Sequence, residues 1–201
     1  NIFKSERAKP LFLKIEKDFF VSVSKTPNPK ATLNTVDRYF SKLSSGVEIF
    51  SLFNANKFFL KIFIDVAAKA PQALEEIGQN TDILATVMQK HFFSPMPNIH
   101  QLLNFLTQAV NEKGLDYEDQ LNVIRQQTKE LKFRVTVQLL QRKCSIEQAG
   151  LWYSNIAEVV LKVLTPLVIY NFSRRYSYIK DSGFAIIAMG KLGSREMTFT
   201  S

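Results

Sequence analysis

The chain has 201 residues, 46% apolar and 22% charged, with a net charge of +8 at neutral pH. Those proportions are normal for a globular protein and allow one or two domains with a sizeable core. The basic residues are scattered without a block, which reads as a solvated basic surface and not as a nucleic-acid partner. With 7 glycines the chain is not a mainly β protein. Cys144 has no second thiol to pair with, which fits a reducing cytosol, and it reads as a half-buried filler near a helix end. No apolar run approaches the length of a bilayer span and no signal-peptide layout opens the chain, so no membrane partner is expected. The start, Asn1-Ile-Phe-Lys, reads as a cut from something longer.

Residues 1–9 read as frayed. Pro10 fits the first turn of a helix, where its missing N–H is not needed. Leu11, Leu13, Ile15, Phe19, Phe20 and Val23 give that helix an apolar face. Asn28 reads as an N-cap with Pro29 at the first helical position. The helix that follows should run to about Leu43, burying Leu33, Val36, Tyr39 and Phe40. Residues 47–53 make a short helix or turn. Residues 55–69 make another that is apolar nearly all round, through Phe58, Phe59, Leu60, Ile62, Phe63, Ile64 and Val66. A helix without a polar face is buried on several sides, so this one is expected at the centre of an N-terminal bundle. Pro71 opens a helix carrying Leu74 and Ile77, closed by Gly78 and Asn80. Thr81 and Asp82 cap the next, with Ile83, Leu84, Val87 and Met88.

The stretch Phe92-Phe-Ser-Pro-Met-Pro97 is a break, dividing the chain into regions 1–97 and 98–201. Asn98 caps a helix with Leu102, Leu103, Leu106 and Val110. Residues 117–142 read as a long helix striped by Leu121, Ile124, Leu131, Val135 and Leu139. Ser145 and Gln148 have the spacing of a capping box. The helix they open carries Ile146, Ala149, Tyr153, Ile156, Val160, Val163 and Leu167. Two striped helices joined by a short turn should pack antiparallel. Pro166 should kink the second or end it early, and Arg174 and Arg175 suit the dipole at its C-terminus.

The chemistry-bearing residues in this part are sparse. His91 and His100 have no cysteine or carboxylate at zinc-ligand spacing. The 17 phenylalanines sit among Leu, Ile and Val and read as core. Arg125, Lys129 and Arg134 read as a solvated face, with charge directed at nucleotide phosphates as the other reading. The apolar run 184–189 is different: it is fenced by Gly183 and Gly190 and is too short for a helix. It reads as a buried strand. It empties into Gly190-Lys191-Leu192-Gly193-Ser194. Glycines let backbone N–H groups approach an anion, and lysine and serine add a charge and a hydroxyl. The spacing is neither a Walker A loop nor the dinucleotide fingerprint. By chemistry alone, a phosphate cradle and an ordinary tight turn at a strand end both fit.

The wider wording, Ala-Met-Gly-Lys-Leu-Gly-Ser-Arg-Glu-Met-Thr-x-Thr-Ser over residues 188–201, closely resembles the nucleotidyltransferase signature of the glutamine synthetase adenylyltransferase family. Members of that family carry an adenylyl-removing N-terminal half and an adenylylating C-terminal half. Gly-Ser-Arg-Glu-Met-Thr looks more like the adenylylating half, since the removing half more often reads Gly-Gly-Arg-Glu-Leu. A second stretch, Asp37-Arg-Tyr-Phe-x-x-Leu43-x-Ser45-Gly46-x-x-x-Phe50-Ser-Leu-Phe-x-Ala55-Asn56, resembles the helical segment between the halves.

The resemblance implies an all-α helical bundle over 1–97. Over 98–201 it implies helices and the truncated first strand of an α+β nucleotidyltransferase domain. It implies AMP transfer from ATP to a tyrosine of glutamine synthetase, with Mg²⁺, in the cytoplasm, and a PII-type signalling protein as a further partner. Backbone N–H groups of Gly193 and Ser194 would hold the ATP phosphates and the Ser194 hydroxyl would add a contact. Lys191 would add charge or brace the turn, and Gly190 and Ser201 complete the nucleotide-binding set. In the family the next residues are Asp-Leu-Asp, the acidic pair that holds magnesium. This chain stops at Ser201, so the fragment by itself is expected to hold no metal and to be inactive. A lone strand leaves backbone groups unpaired, so the tail from Phe184 is expected to be disordered, helical or paired with another molecule. Two other readings stand beside this one: a helical interaction module that binds no nucleotide, and the adenylyl-removing half.

Overall fold

The computed structural model describes residues 2, 3, 5–77, 81–89, 91–112, 114–176, 183 and 185–201. The closure expected at Gly78 and Asn80, the cap expected from the Thr81 side chain, and Phe184 lie outside them. The described residues are almost entirely helical and contain no strand. They fall into two compact units, one of residues 1–94 with 136–143 and one of residues 95–135 with 144–201.

The first unit is built from α1 (Ala8–Ser24), α2 (Pro29–Lys42), α3 (Val47–Ala55), α4 (Lys57–Lys69), α5 (Pro71–Ile77) and α6 (Thr81–Ala85), followed by a 3₁₀ turn, Thr86–Met88. The Asn28 side chain accepts the Ala31 N–H at 3.1 Å and starts α2 with Pro29 in its first turn. Asn56 does the same for α4, accepting from Phe58 N at 2.9 Å and Phe59 N at 3.3 Å. Those side-chain oxygens satisfy donors that have no intrahelical partner. α4 packs on α1, α2, α3 and α5, the central place its composition predicts. Phe58 is the exception, 51% exposed.

The core of this unit is aromatic. Phe40 stacks on Phe63 at 5.8 Å with the rings 7° apart, Phe53 lies 5.0 Å from Phe63, and Phe50 meets Phe40 edge-on at 5.5 Å. Such pairs contribute about 0.5–1.5 kcal/mol each beyond the area they bury. Leu13, Phe20 and Leu33, expected on the buried faces, are exposed. Phe20 and Leu33 directly follow the buried Phe19 and Thr32, and one residue turns a helix by about 100°. The N-terminus is also not frayed at Ile2, which is buried and accepts the Gly46 N–H at 3.0 Å. A Cβ on Gly46 would stand 2.5 Å from the Phe50 ring and 2.6 Å from Ile2, so only glycine lets that segment lie down. The Asn54 amide ties α3 to α1 by donating to Leu11 O at 2.8 Å.

The second unit contains α7 (Ile99–Val110), most of α8 (Tyr117–Leu140), α9 (Ile146–Tyr176) and α10, the single turn Gly190–Gly193. Reciprocal caps start α7, α8 and α9: Asn98 with Gln101 at 3.0 Å both ways, Asp116 with Asp119 at 3.3 and 2.8 Å, and Ser145 with Gln148 at 3.0 and 3.2 Å. The box at Ser145 was legible from its spacing. α8 ends in a Schellman closure, Lys143 N to Gln138 O at 2.8 Å and Arg142 N to Leu139 O at 3.0 Å, with Arg142 at φ 56°. No glycine marks that stop in the sequence.

α7 packs along α9, and Leu102, Leu106 and Val110 are buried on it. Residues 136–143 belong to the first unit, where the buried Gln138 amide donates to Phe92 O at 2.8 Å and Ser94 O at 3.0 Å. Pro166 does not end α9, which continues to Tyr176. Pro166 and Lys162, whose carbonyl loses its partner, both face solvent, where water can replace the missing bond. α9 is also long and apolar enough, by length and composition, to cross a bilayer, with mean hydropathy 1.5 over its most apolar 18 residues. The sequence expectation missed it because Asn155, Glu158 and Lys162 interrupt the apolar run.

Two outcomes follow from this packing. Gln138→Leu leaves two carbonyls without their donor and lowers stability by about 2 kcal/mol in denaturant unfolding, against little change for exposed Gln126→Leu. Burial pushes the Cys144 thiol up from its ordinary value. Its alkylation rate is therefore below that of a free thiol near neutral pH and still climbs with pH where a free thiol has levelled off.

Candidate functional site

The residues of the C-terminal motif converge on the middle of α9. Its turn, α10, closes as a second Schellman motif. Ser194 N donates to Gly190 O at 2.9 Å, Arg195 N to Leu192 O at 3.2 Å and Glu196 N to Lys191 O at 2.8 Å. The two motif glycines serve different ends. Gly190 sits at φ 55°, a left-handed conformation that side chains resist. Gly193 gives room: a Cβ there would lie 2.8 Å from Ala188 O, a backbone atom that cannot swing aside. Arg195 occupies the left-handed position of the closure at φ 62°, where a residue with a side chain costs about 1–2 kcal/mol.

What holds Arg195 there is α9. Its guanidinium donates to Asn155 Oδ1 and pairs with Glu158 at 3.3 Å. Glu158 also pairs with Lys162 at 2.8 Å. One turn of helix thus presents Ser154, Asn155 and Glu158 to the tail: Ser154 Oγ accepts the Met197 N–H at 3.4 Å while donating to Gly150 O at 2.8 Å. Gly150 lets the tail come close, with Glu196 Cα only 3.4 Å from where its Cβ would be. Phe199 is pinned edge-on to Tyr153 at 6.4 Å and under Lys132 Nζ at 4.7 Å. Sequence reasoning did not single out Asn155, Glu158 or Arg195 as site residues. The signal available was a polar cluster, Ser154-Asn155 and Glu158, inside an otherwise apolar helix.

A groove of about 780 Å³ lies between α9 and the tail. Glu158, Lys162 and Thr165 line it from α9, and Ile186, Gly193 and Arg195 from the tail. Of the sequence-predicted residues, Gly193 lines the groove, and Gly190, Lys191 and Ser194 stand beside it in the same turn. Lys191 Nζ reaches Ser201 Oγ at 3.4 Å, which brings the last member of the set to the turn. Ser201 Oγ also accepts the Thr198 N–H at 3.0 Å. The Gly193 N–H points to Met189 O at 3.4 Å and that of Ser194 to Gly190 O, while Ser194 Oγ meets Glu196 at 3.2 Å. Among the described residues no group of His, Cys, Asp or Glu could hold a metal ion.

The run before the turn is not the buried strand that its composition suggested. Residues 185–189 have no regular structure and are exposed, Ile187 and Met189 each to 80%. There is no strand among the described residues to pair with them, and Met189 O accepts the Gly193 N–H. Arg125, Lys129 and Arg134 do not line the groove.

Comparison with known proteins places these features in a family. The family model for glutamate-ammonia ligase adenylyltransferase matches residues 60–201. Curated proteins named bifunctional glutamine synthetase adenylyltransferase/adenylyl-removing enzyme are similar along the chain. That of Rhodopseudomonas palustris strain HaA2 is 29% identical over 201 residues, which is 100% of this chain and 20% of the relative. That of strain BisB5 is 30% identical over the same span and share. That of Brucella suis biovar 1 is 26% identical over 195 residues, 97% of this chain and 20% of the relative. The chain therefore spans about a fifth of the length of these relatives. No solved structure matches it.

The closeness of Gly193 to Ala188 O has a measurable consequence. Gly193→Ala breaks the turn, and the amides of Ser194 and Glu196 exchange with solvent about tenfold faster, a loss of about 1.4 kcal/mol. Gly183→Ala, where nothing lies within 4 Å, leaves those rates unchanged.

Proposed function

The chain belongs to the glutamate-ammonia ligase adenylyltransferase family, and from that membership we propose that it is part of a longer cytoplasmic enzyme that transfers AMP from Mg-ATP to a tyrosine of glutamine synthetase. In this reading a PII-type signalling protein is a further partner, and residues 98–201 bring the nucleotide-binding turn of the adenylylating half. The observation that carries it is the Gly190-to-Ser201 motif, held on α9 with Lys191, Ser194 and Ser201 beside an open groove.

The reaction joins the tyrosine oxygen to the α-phosphorus of ATP, releases pyrophosphate and gives up the phenolic proton. Such chemistry asks the protein chiefly to position phosphates and offset their charge. Lys191 is suited to that: its contact with Ser201 is long and exposed, so the ammonium is free to swing to a phosphate oxygen. Arg195 is committed to Asn155 and Glu158 and braces the turn instead. The Ser194 hydroxyl, now on Glu196, can turn to an anion that displaces that carboxylate. The described residues do not supply a donor set for Mg²⁺, so no step is assigned through it. Holding the metal falls, in this proposal, to acidic residues elsewhere in the longer enzyme.

Titration of the longer protein with Mg-ATP tests the reading. Lys191→Ala and Ser194→Ala each weaken binding about tenfold, about 1.4 kcal/mol. Unchanged affinity in both overturns it and favours a helical interaction module. In an assay of labelled AMP incorporation into glutamine synthetase, the 201-residue chain alone shows no activity, and measurable incorporation overturns the division of labour.

A further inference from the structure

Three polar side chains within one turn of an apolar helix need an explanation. Ser154 and Asn155 are buried, at 1% and 8% exposure, and Glu158 is half-buried beside them. A buried polar group is unfavourable unless it is hydrogen-bonded, and apolar residues here would suit the helix better. The bonds these side chains make outside α9 go to the tail: Ser154 to Met197 N, Asn155 and Glu158 to the Arg195 guanidinium. Arg195 in turn holds a strained left-handed conformation at the last step of the turn that carries Gly190, Lys191, Gly193 and Ser194. Both bonds leave one terminal nitrogen, Nη2, at the tip of a planar guanidinium, and a lysine ammonium ends nearer the backbone and does not reproduce that placement.

We propose that Asn155 and Glu158 are positioning residues that act through Arg195 to fix the orientation of the 190–194 turn for the phosphates of a nucleoside triphosphate. Neither residue touches the nucleotide. Their role is to keep the strained closure in place, so that Lys191 and Ser194 meet the ligand already oriented. This rests on the nucleotide-binding reading above and adds a second layer to it.

The test uses the longer enzyme, with Mg-ATP affinity by calorimetry and the unfolding midpoint without nucleotide measured on each variant. Asn155→Leu removes the acceptor but keeps the size and favours the apolar helix. It weakens Mg-ATP binding five- to tenfold while the midpoint holds or rises. Asn155→Asp restores an acceptor for the guanidinium and binds within twofold of the parent. Arg195→Lys loses the outer guanidinium nitrogen that makes both bonds and weakens binding to the same degree, and Arg195→Lys with Asn155→Leu is no worse than either alone, since both break one linkage. Should Asn155→Leu fail to fold, Glu158→Gln and Arg195→Lys, both at partly exposed positions, carry the same comparison.

The proposal is overturned if Asn155→Leu and Arg195→Lys bind Mg-ATP like the parent while Lys191→Ala does not. It is also overturned if binding falls only in step with the unfolding midpoint, which is what a merely structural contact would give. If the parent itself binds no Mg-ATP, the nucleotide reading fails first, and the two failures are told apart.

Discussion

The bond network between Arg195 and the middle of α9 is the constraint on which the C-terminal site depends. Without it the segment 185–201 is an exposed apolar stretch followed by a one-turn helix, and a helix of that length has no stability of its own. The turn exists because its end is closed by a Schellman pair and its closing residue is fastened to Asn155 and Glu158. Gly150 and Ser154 extend that fastening to Glu196 and Met197, and Tyr153 extends it to Phe199. These hydrogen bonds and close approaches come from residues 150–158 of one helix, with Lys132 of α8 added over Phe199, so a regular element supplies the geometry and the tail borrows it. That is the arrangement expected where a loop must present polar groups in a fixed orientation.

The first unit solves a different problem. Its helices are short, and several would be marginal in isolation. They are held by caps at Asn28 and Asn56 and by interlocked rings from α1, α2, α3 and α4. Tyr39 illustrates how strongly that core prefers apolar contact: its hydroxyl is buried without a partner, and burial pushes the phenol well above its ordinary value. The surface ion pairs Arg38–Glu75 and Lys57–Asp18 are exposed and add little by comparison.

The segment 185–189 is irregular, with Ile186, Ile187 and Met189 facing solvent. The apolar composition is that of a buried strand, yet burial needs a neighbour that the described residues do not contain. Composition records the preference of a segment, and only its surroundings decide whether the preference is met.

Much of the helical layout was legible in the residues themselves. Caps act within three or four positions, so Asn28, Asn98 and Ser145 announce α2, α7 and α9 locally, and the apolar circuit of 57–69 announces a central helix. The turn at Gly190 was legible too, because glycine takes left-handed backbone most easily, whereas the left-handed Arg142 and Arg195 carry no such mark. What tertiary structure alone decided were pairings between distant residues. The sequence does not say that Gln138 commits the end of α8 to Phe92 and Ser94, or that α9 packs on α7. The meeting of Arg195 with Asn155 and Glu158 spans 40 and 37 positions and carries no local signature. Periodicity encodes which face is apolar; which partner covers it depends on side-chain bonds that form only once the chain has folded.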